Sequence, residues 1–197
     1  MKDVMSRGLV GALAAVMVML WAPPADALLR LGGDLRWIPL GVETMEEAGE
    51  SFRPGRQLES MGLGVRALIG IEQFGIGLKI NFAHHAFQDP DHSYSHLDLN
   101  AHLRMKVPDT RVAIFAEAGP VMALDIGGVG YNGAFGAEFD LLGWPLVDLN
   151  LGLAAQYASV PVGAGPSQVR MNQGVRAMVF VGVDFSLMPG FGGGSRE

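Results

Sequence analysis

From residue 28 to residue 185, apolar and polar residues alternate with a period of two, and a helical period is hard to find in that stretch. Eight segments carry the alternation: 28–38, 63–72, 74–84, 96–107, 111–121, 131–141, 147–158 and 169–185. In 96–107, His96, Asp98, Asn100, His102, Arg104 and Lys106 point one way, and Leu97, Leu99, Ala101, Leu103, Met105 and Val107 the other. Segment 74–84 sets Gly75, Gly77, Lys79 and Asn81 against Phe74, Ile76, Leu78, Ile80 and Phe82. Segment 28–38 sets Arg30, Gly32, Asp34 and Arg36 against Leu29, Leu31, Leu35 and Trp37. The two faces are chemically unequal. No charged side chain falls on an apolar face, where Gln173 is the one clearly polar residue. The polar faces carry the charges together with Gly32, Gly64, Gly70, Gly75, Gly77, Gly119, Gly136, Gly152, Gly174 and Gly182.

That asymmetry decides which face of a closed sheet turns inward. In a soluble eight-stranded barrel of the lipocalin kind the polar face meets water. Glycines there would lose backbone entropy and pack nothing. With the polar face inside, glycine becomes necessary. Eight strands enclose just enough room for side chains to fill, so Arg and Glu must be interleaved with Gly and Ala. The apolar faces then meet lipid, where a charge at mid-depth costs about 2–4 kcal/mol. The segment lengths suit tilted strands of about 9–11 residues crossing a bilayer, and closure leaves no unpaired backbone edge in lipid. The expected fold is all-β: an eight-stranded antiparallel up-and-down transmembrane β-barrel over residues 28–185.

The connections point the same way. Long ones at 43–62, 86–95 and 160–168 are separated by short ones at Glu72-Gln73, 108–110 and 142–146, with a glycine turn at 127–130. Transmembrane barrels have short periplasmic turns and longer extracellular loops, so both termini are expected in the periplasm. Aromatic girdles are expected at both interfaces. In this topology Trp37, Phe82, Tyr131 and Tyr157 fall at the outer end, and Phe74, Phe139, Trp144 and Phe185 at the inner end.

Residues 1–27 read as a cleaved export signal. Lys2 and Arg7 precede the charge-free run Leu9 to Trp21, then come Pro23-Pro24 and a small-x-small site at Ala25-Asp26-Ala27. That run has 13 residues, short of the about 20 that a spanning helix needs. The chain contains no cysteine, so disulfides do not stabilise it. Its formal net charge of −6, with few Lys and Arg, argues against a nucleic-acid partner. No cofactor is expected.

On these features the chain resembles the small OmpA/OmpX-type outer-membrane β-barrels over 28–185. The resemblance rests on pattern, not on a sharp motif. It implies the outer membrane of a Gram-negative bacterium, contact with outer-membrane lipid and lipopolysaccharide, and a monomer. Family members commonly end in a strand of alternating apolar residues with a final aromatic, read by the barrel-insertion machinery, and Val179, Val181, Val183 and Phe185 look like that signal. Residues 186–197, with Gly192-Gly193-Gly194, follow it and are expected to form a flexible periplasmic tail.

Alternation assigns nine cations to the lumen: Arg30, Arg36, Arg66, Lys79, Arg104, Lys106, Arg111, Arg170 and Arg176. It assigns eight anions: Asp34, Glu72, Asp98, Glu117, Glu138, Asp140, Asp148 and Asp184, with His102 beside Asp98 and Arg104. Lone buried charges are costly, so the near balance predicts a plugged, ion-paired lumen. A narrow selective channel is the alternative.

All five histidines lie between residues 84 and 102. The plain reading is a solvated polar hairpin tip. A metal reading uses His84, His85, Asp89, Asp91, His92 and His96, whose spacing matches no closed structural site. A catalytic reading pairs a histidine such as His92 with Ser93 or Ser95 to hydrolyse an acyl ester. Outer-membrane lipid A deacylases do this with a His and a Ser on the lipid-facing wall, whereas Ser93 and Ser95 are expected in the loop. The first loop, with Glu43, Glu46, Glu47, Glu50 and Glu59 against Arg53 and Arg56, is expected to be acidic and solvated. The expected role is non-enzymatic: envelope integrity, or surface contact through the loops.

Overall fold

The structure, a computed structural model, describes residues 28–187 apart from 48–49, 53–57, 59, 89–92, 125–127, 145 and 164–168. The expected export signal at 1–27 and most of the expected tail, 188–197, lie outside the described residues. Ser186 and Leu187 continue the last strand.

Among the described residues nine strands follow one another: β1 Leu28–Glu47, β2 Glu50–Phe52, β3 Ser60–Gly70, β4 Phe74–His85, β5 Tyr94–Lys106, β6 Val112–Ala123, β7 Val129–Trp144, β8 Val147–Gly163 and β9 Val169–Leu187. From β3 onward each pairs antiparallel with the next, and β1 pairs with both β3 and β9, so eight strands close a barrel. β2 is a short hairpin arm on the end of β1, with Met45 opposite Phe52. It lies inside the stretch expected to be loop.

The eight barrel strands are those read from the alternation, but several run longer. β1 continues past residue 38 because the register slips between Trp37 and Leu40, around Pro39. Proline has no N–H to give the ladder and sits in strands at bulges, so the alternation breaks there and resumes shifted by one. Ile38 faces the lumen, Leu40 and Val42 face out, and Glu43 faces in again. Glu43 is therefore a buried lumen residue, not part of a solvated loop. β1, β8 and β9 have 20, 17 and 19 residues against 11 to 13 in β3 to β6, so the wall is tall on one side.

The short turns follow local chemistry. Glu72-Gln73 form a two-residue hairpin, in which the Ile71 and Phe74 backbone N–H groups each donate to the other residue's carbonyl. Glu72 is exposed there, and Arg111 is exposed at the next turn, so neither is the lumen charge that alternation assigned. At Val107–Thr110, Pro108 and Asp109 occupy the two central positions, and Asp109 has φ of 58°, the positive value a type II turn needs at its third residue.

Exposure sorts the residues by face. Leu35, Val65, Leu78, Leu99, Phe135, Leu153 and Val181 are exposed, whereas Arg36, Arg66, Lys79, Glu117, Glu138 and Arg176 are buried. No described helix is long and apolar enough to cross a membrane, which says nothing about a β-barrel.

Candidate functional site

Among the described residues the lumen holds three groups of polar side chains. Nearest the termini, Arg66 on β3 spans two acids: its Nε donates to Asp184 Oδ1 at 2.9 Å, and its terminal nitrogens reach Glu138 and the other Asp184 oxygen. Arg104 on β5 donates from Nε to Glu138 Oε2 at 2.9 Å and from Nη2 to Asp140 at 3.4 Å. Asn150 donates to Asp184 at 3.1 Å. Gly32 makes the first junction possible. It lies between Arg66 and Asp184 in register, and a Cβ there would sit 1.8 Å from Asp184 Oδ1. Arg30 is half-buried at this end and donates to the Glu72 carbonyl at 3.3 Å.

At mid-height, Asp34 accepts from Arg36 Nε at 2.6 Å and lies 2.7 Å from Lys79 Nζ. Glu117 faces Arg36 at 3.5 Å, Lys79 at 3.7 Å and His102 Nδ1 at 3.1 Å. Apolar side chains fill the space beside these charges. Phe115 stacks on His102 with ring centroids 5.3 Å apart and meets Phe180 edge-on. The Lys79 ammonium lies over both phenyl rings, within reach of a cation–π attraction. Phe180 fits because it covers Gly152, where a Cβ would meet the ring at 2.0 Å.

At the loop end, Glu43, His85, Tyr94, His96, Asp98, Asn172 and Arg176 are buried together. Arg176 Nε donates to Glu43 at 2.7 Å and its Nη1 lies 3.2 Å from His85 Nε2, while Nη2 reaches the Tyr94 hydroxyl. Asn172 donates to Glu43 and, at 2.9 Å, to Tyr94 Oη. The His85 and His96 Nε2 atoms are 3.0 Å apart, and His96 Nδ1 is 2.7 Å from Asp98 Oδ1. Arg176 can only donate, so His85 Nε2 accepts, and the hydrogen between the two rings belongs to His96. Phe87, Tyr94, Val121, Ala123, Ala158 and Val160 form an apolar cap beside this cluster.

The histidines are thus not one exposed tip. Strand pleating splits the His84-His85 doublet. His85, His96 and His102 turn into the lumen, and His84 turns out, its Nδ1 2.9 Å from Ser95 Oγ. His84 and His85 lie on opposite faces of the wall and cannot share an ion. Asp89, Asp91 and His92 lie outside the described residues. Among the described residues no group of three or more His, Asp or Glu is placed to hold a metal ion. Ser95 belongs to β5, directly opposite His84, and not to the loop.

The eight aromatics assigned to the interfaces all lie on the outside. Phe74 follows the Glu72-Gln73 turn, Trp144 and Phe185 pair with Val147, and Phe139 pairs with Val112, all at the termini end. Trp37 pairs with Met61, Phe82 with Leu97 and Tyr131 with Ser159, and the Tyr131 and Tyr157 rings lie 6.1 Å apart toward the loop end.

Alternation places Asp98, Arg176 and His96 inward, whereas Glu43, Tyr94, Asn172 and Gln156 beside them escape the sequence reading for identifiable reasons. Glu43 sits beyond the Pro39 slip, and Tyr94 lies two residues before the alternating segment 96–107. Asn172 and Gln156 carry no charge to draw notice, although both occupy the inward phase of their strands.

No family model matches the chain, and no curated protein matches it in sequence. Solved structures of similar fold exist. Neisserial surface protein A is 13% identical, with 81% of this chain and 97% of that chain covered and a TM-score of 0.47. OprG from Pseudomonas aeruginosa is 11% identical, with 82% and 96% covered and a TM-score of 0.44. Ail of Yersinia pestis, the attachment invasion locus protein, is 8% identical, with 80% and 98% covered and a TM-score of 0.41. This chain is similar to small outer-membrane barrels. At these identities the likeness is one of fold, and what those proteins do stays with them.

Proposed function

We propose that the chain is an outer-membrane β-barrel with a closed lumen, acting through its lipid-facing wall and loop rim. Its role on this reading is envelope integrity or surface contact, and neither requires a reaction. The observation that carries it is the inversion of burial: Lys79, Arg176 and Glu138 are each about 1% exposed while Leu35, Phe135 and Leu153 are more than 60% exposed. In water that arrangement would lose most of the hydrophobic driving force; in lipid it is the low-energy one. The lumen pairs join β1, β3, β4, β5, β6, β7 and β9 across the section, which favours a plug over a channel. Outer-membrane lipid and lipopolysaccharide are the proposed surroundings, with both termini in the periplasm. The barrel-insertion machinery is the proposed assembly partner, and a monomer the proposed state.

The test is electrophoresis of the detergent-folded chain with and without boiling, with cell fractionation and planar-bilayer recording. A mobility shift, extraction from outer membranes only and no stable conductance are expected. Free protein in the periplasm would overturn the membrane reading, and a defined open level would overturn the plug.

A further inference from the structure

We infer that His84 and Ser95 form a lipid-accessible acyl-ester hydrolase site on the outer wall. The inference goes beyond the reading above and rests on its claim that the wall faces lipid. Of the four described histidines only His84 turns outward. Its Nδ1 lies 2.9 Å from Ser95 Oγ, directly across the β4–β5 ladder. A nucleophile within hydrogen-bond reach of a base is the arrangement that activates a serine.

The height of the pair suits one substrate class. Successive outward rungs of β4 and β5 are Leu78–Ala101, Ile80–Leu99, Phe82–Leu97 and then His84–Ser95. The dyad is the polar end of an apolar column, flanked by Met61 on β3, Met122 on β6 and Leu124 just past the end of β6, all exposed. From Phe74, beside the opposite turn, to His84 is ten residues, which at ~3.4 Å each is about 34 Å along the strand. At a tilt near 40° that projects to roughly 26 Å, matching the ~25 Å apolar band of such barrels. The dyad therefore lies at the hydrocarbon boundary, where the acyl esters of membrane lipids sit. An acyl chain lying along the column brings its own ester to Ser95.

The reaction is a two-step acyl transfer. Ser95 Oγ attacks the ester carbonyl as its proton passes to His84 Nδ1. The C–O bond to the lipid alcohol breaks, and the alcohol leaves with that proton. Water, deprotonated by His84, then cleaves the acyl-serine and releases the fatty acid. The tautomer with hydrogen on Nε2 leaves Nδ1 free to accept, as this requires.

The test uses the full mature chain, with Ser95→Ala and His84→Gln variants, folded into vesicles and checked first for the boiling-dependent mobility shift. One arm contains phospholipid alone, a second adds lipopolysaccharide, and the arm that releases fatty acid identifies the ester's source. The same samples receive a fluorophosphonate probe, and the labelled peptide is located by mass spectrometry. Expected are a label on Ser95, fatty acid release by the unaltered chain, loss of both in Ser95→Ala, and a drop of about 10²–10⁴-fold in His84→Gln. A shifting, folded barrel with neither label nor release overturns the site and leaves the barrel intact. Release that survives in Ser95→Ala, or a label elsewhere, also overturns it. Loss of the shift in the unaltered chain overturns the membrane reading and the site together.

Discussion

Glu138 is the acid on which the lower lumen turns, so its removal gives the sharpest energetic test. It accepts from Arg66 through both carboxylate oxygens and from Arg104 at 2.9 Å, with its side chain fully buried. Breaking a buried pair from one side costs about 3–5 kcal/mol, because a charge is left without compensation. Arg66 keeps Asp184 at 2.9 Å and Arg104 keeps Asp140 at 3.4 Å, so Glu138→Ala belongs at the lower bound. A loss of about 3 kcal/mol lowers the folded-to-unfolded ratio by roughly two powers of ten. Glu138→Gln keeps the shape and one acceptor, and a loss of about 1.5–3 kcal/mol is expected for hydrogen bonds to a charged partner. Lys106→Ala is the control. Its nearest acids are 3.8 Å away, and its side chain and that of Glu72 are 28% and 68% exposed, so about 1 kcal/mol or less is at stake. Urea unfolding in lipid vesicles, followed by circular dichroism and by the mobility shift, gives all three values. If Glu138→Ala unfolds as late as Lys106→Ala, the lumen network contributes no stability and the interior is better described as a wet slot.

Other substitutions test other parts of the fold. Leu153→Arg, on an outward position of β8 that is 63% exposed, should cost about 2–4 kcal/mol in vesicles if it sits near mid-bilayer; a neutral result would mean that the face meets water. Gly152→Val should destabilise by about 1–3 kcal/mol, since the new Cβ meets the Phe180 ring, and Phe180→Ala in the same chain should relieve part of the clash in a double-mutant cycle. Asp109→Gly should raise stability by up to about 1 kcal/mol by relieving the positive φ at the turn; a fall of that size would refute the assignment. Nitrogen-15 spectra should find hydrogen on His96 Nε2 and none on His85 Nε2, and the reverse would refute the donor order across that pair.

The barrel was legible because each rung repeats the same statement. Lys79 between Leu78 and Ile80, or His102 between Ala101 and Leu103, fixes a face without help from the rest of the chain. What did not read through depends on single residues that reset the count. Pro39 shifts β1 by one position, and Glu43 moves from an imagined loop into the lumen. The start of β5 at Tyr94 decides whether Ser95 is a loop residue or a wall residue. Three-dimensional reach is also invisible to alternation. Nothing local says that Arg66 meets Asp184, 118 positions away, over the gap left by Gly32.

The β1–β9 ladder runs from Leu29 opposite Leu187 to Glu46 opposite Met171, and it is among the longest in the molecule. It joins the two strands that are farthest apart along the chain. Seven of the eight strands can be present and paired while the sheet still has two open borders, each a row of backbone groups that hydrocarbon cannot satisfy. The penalty vanishes only when the last strand meets the first. Partly assembled forms are therefore barred from the bilayer interior, and entry into lipid and completion of the ring become one event. A chain that stops short of β9 would be left at the membrane surface, its unfinished border open to any other strand that came near.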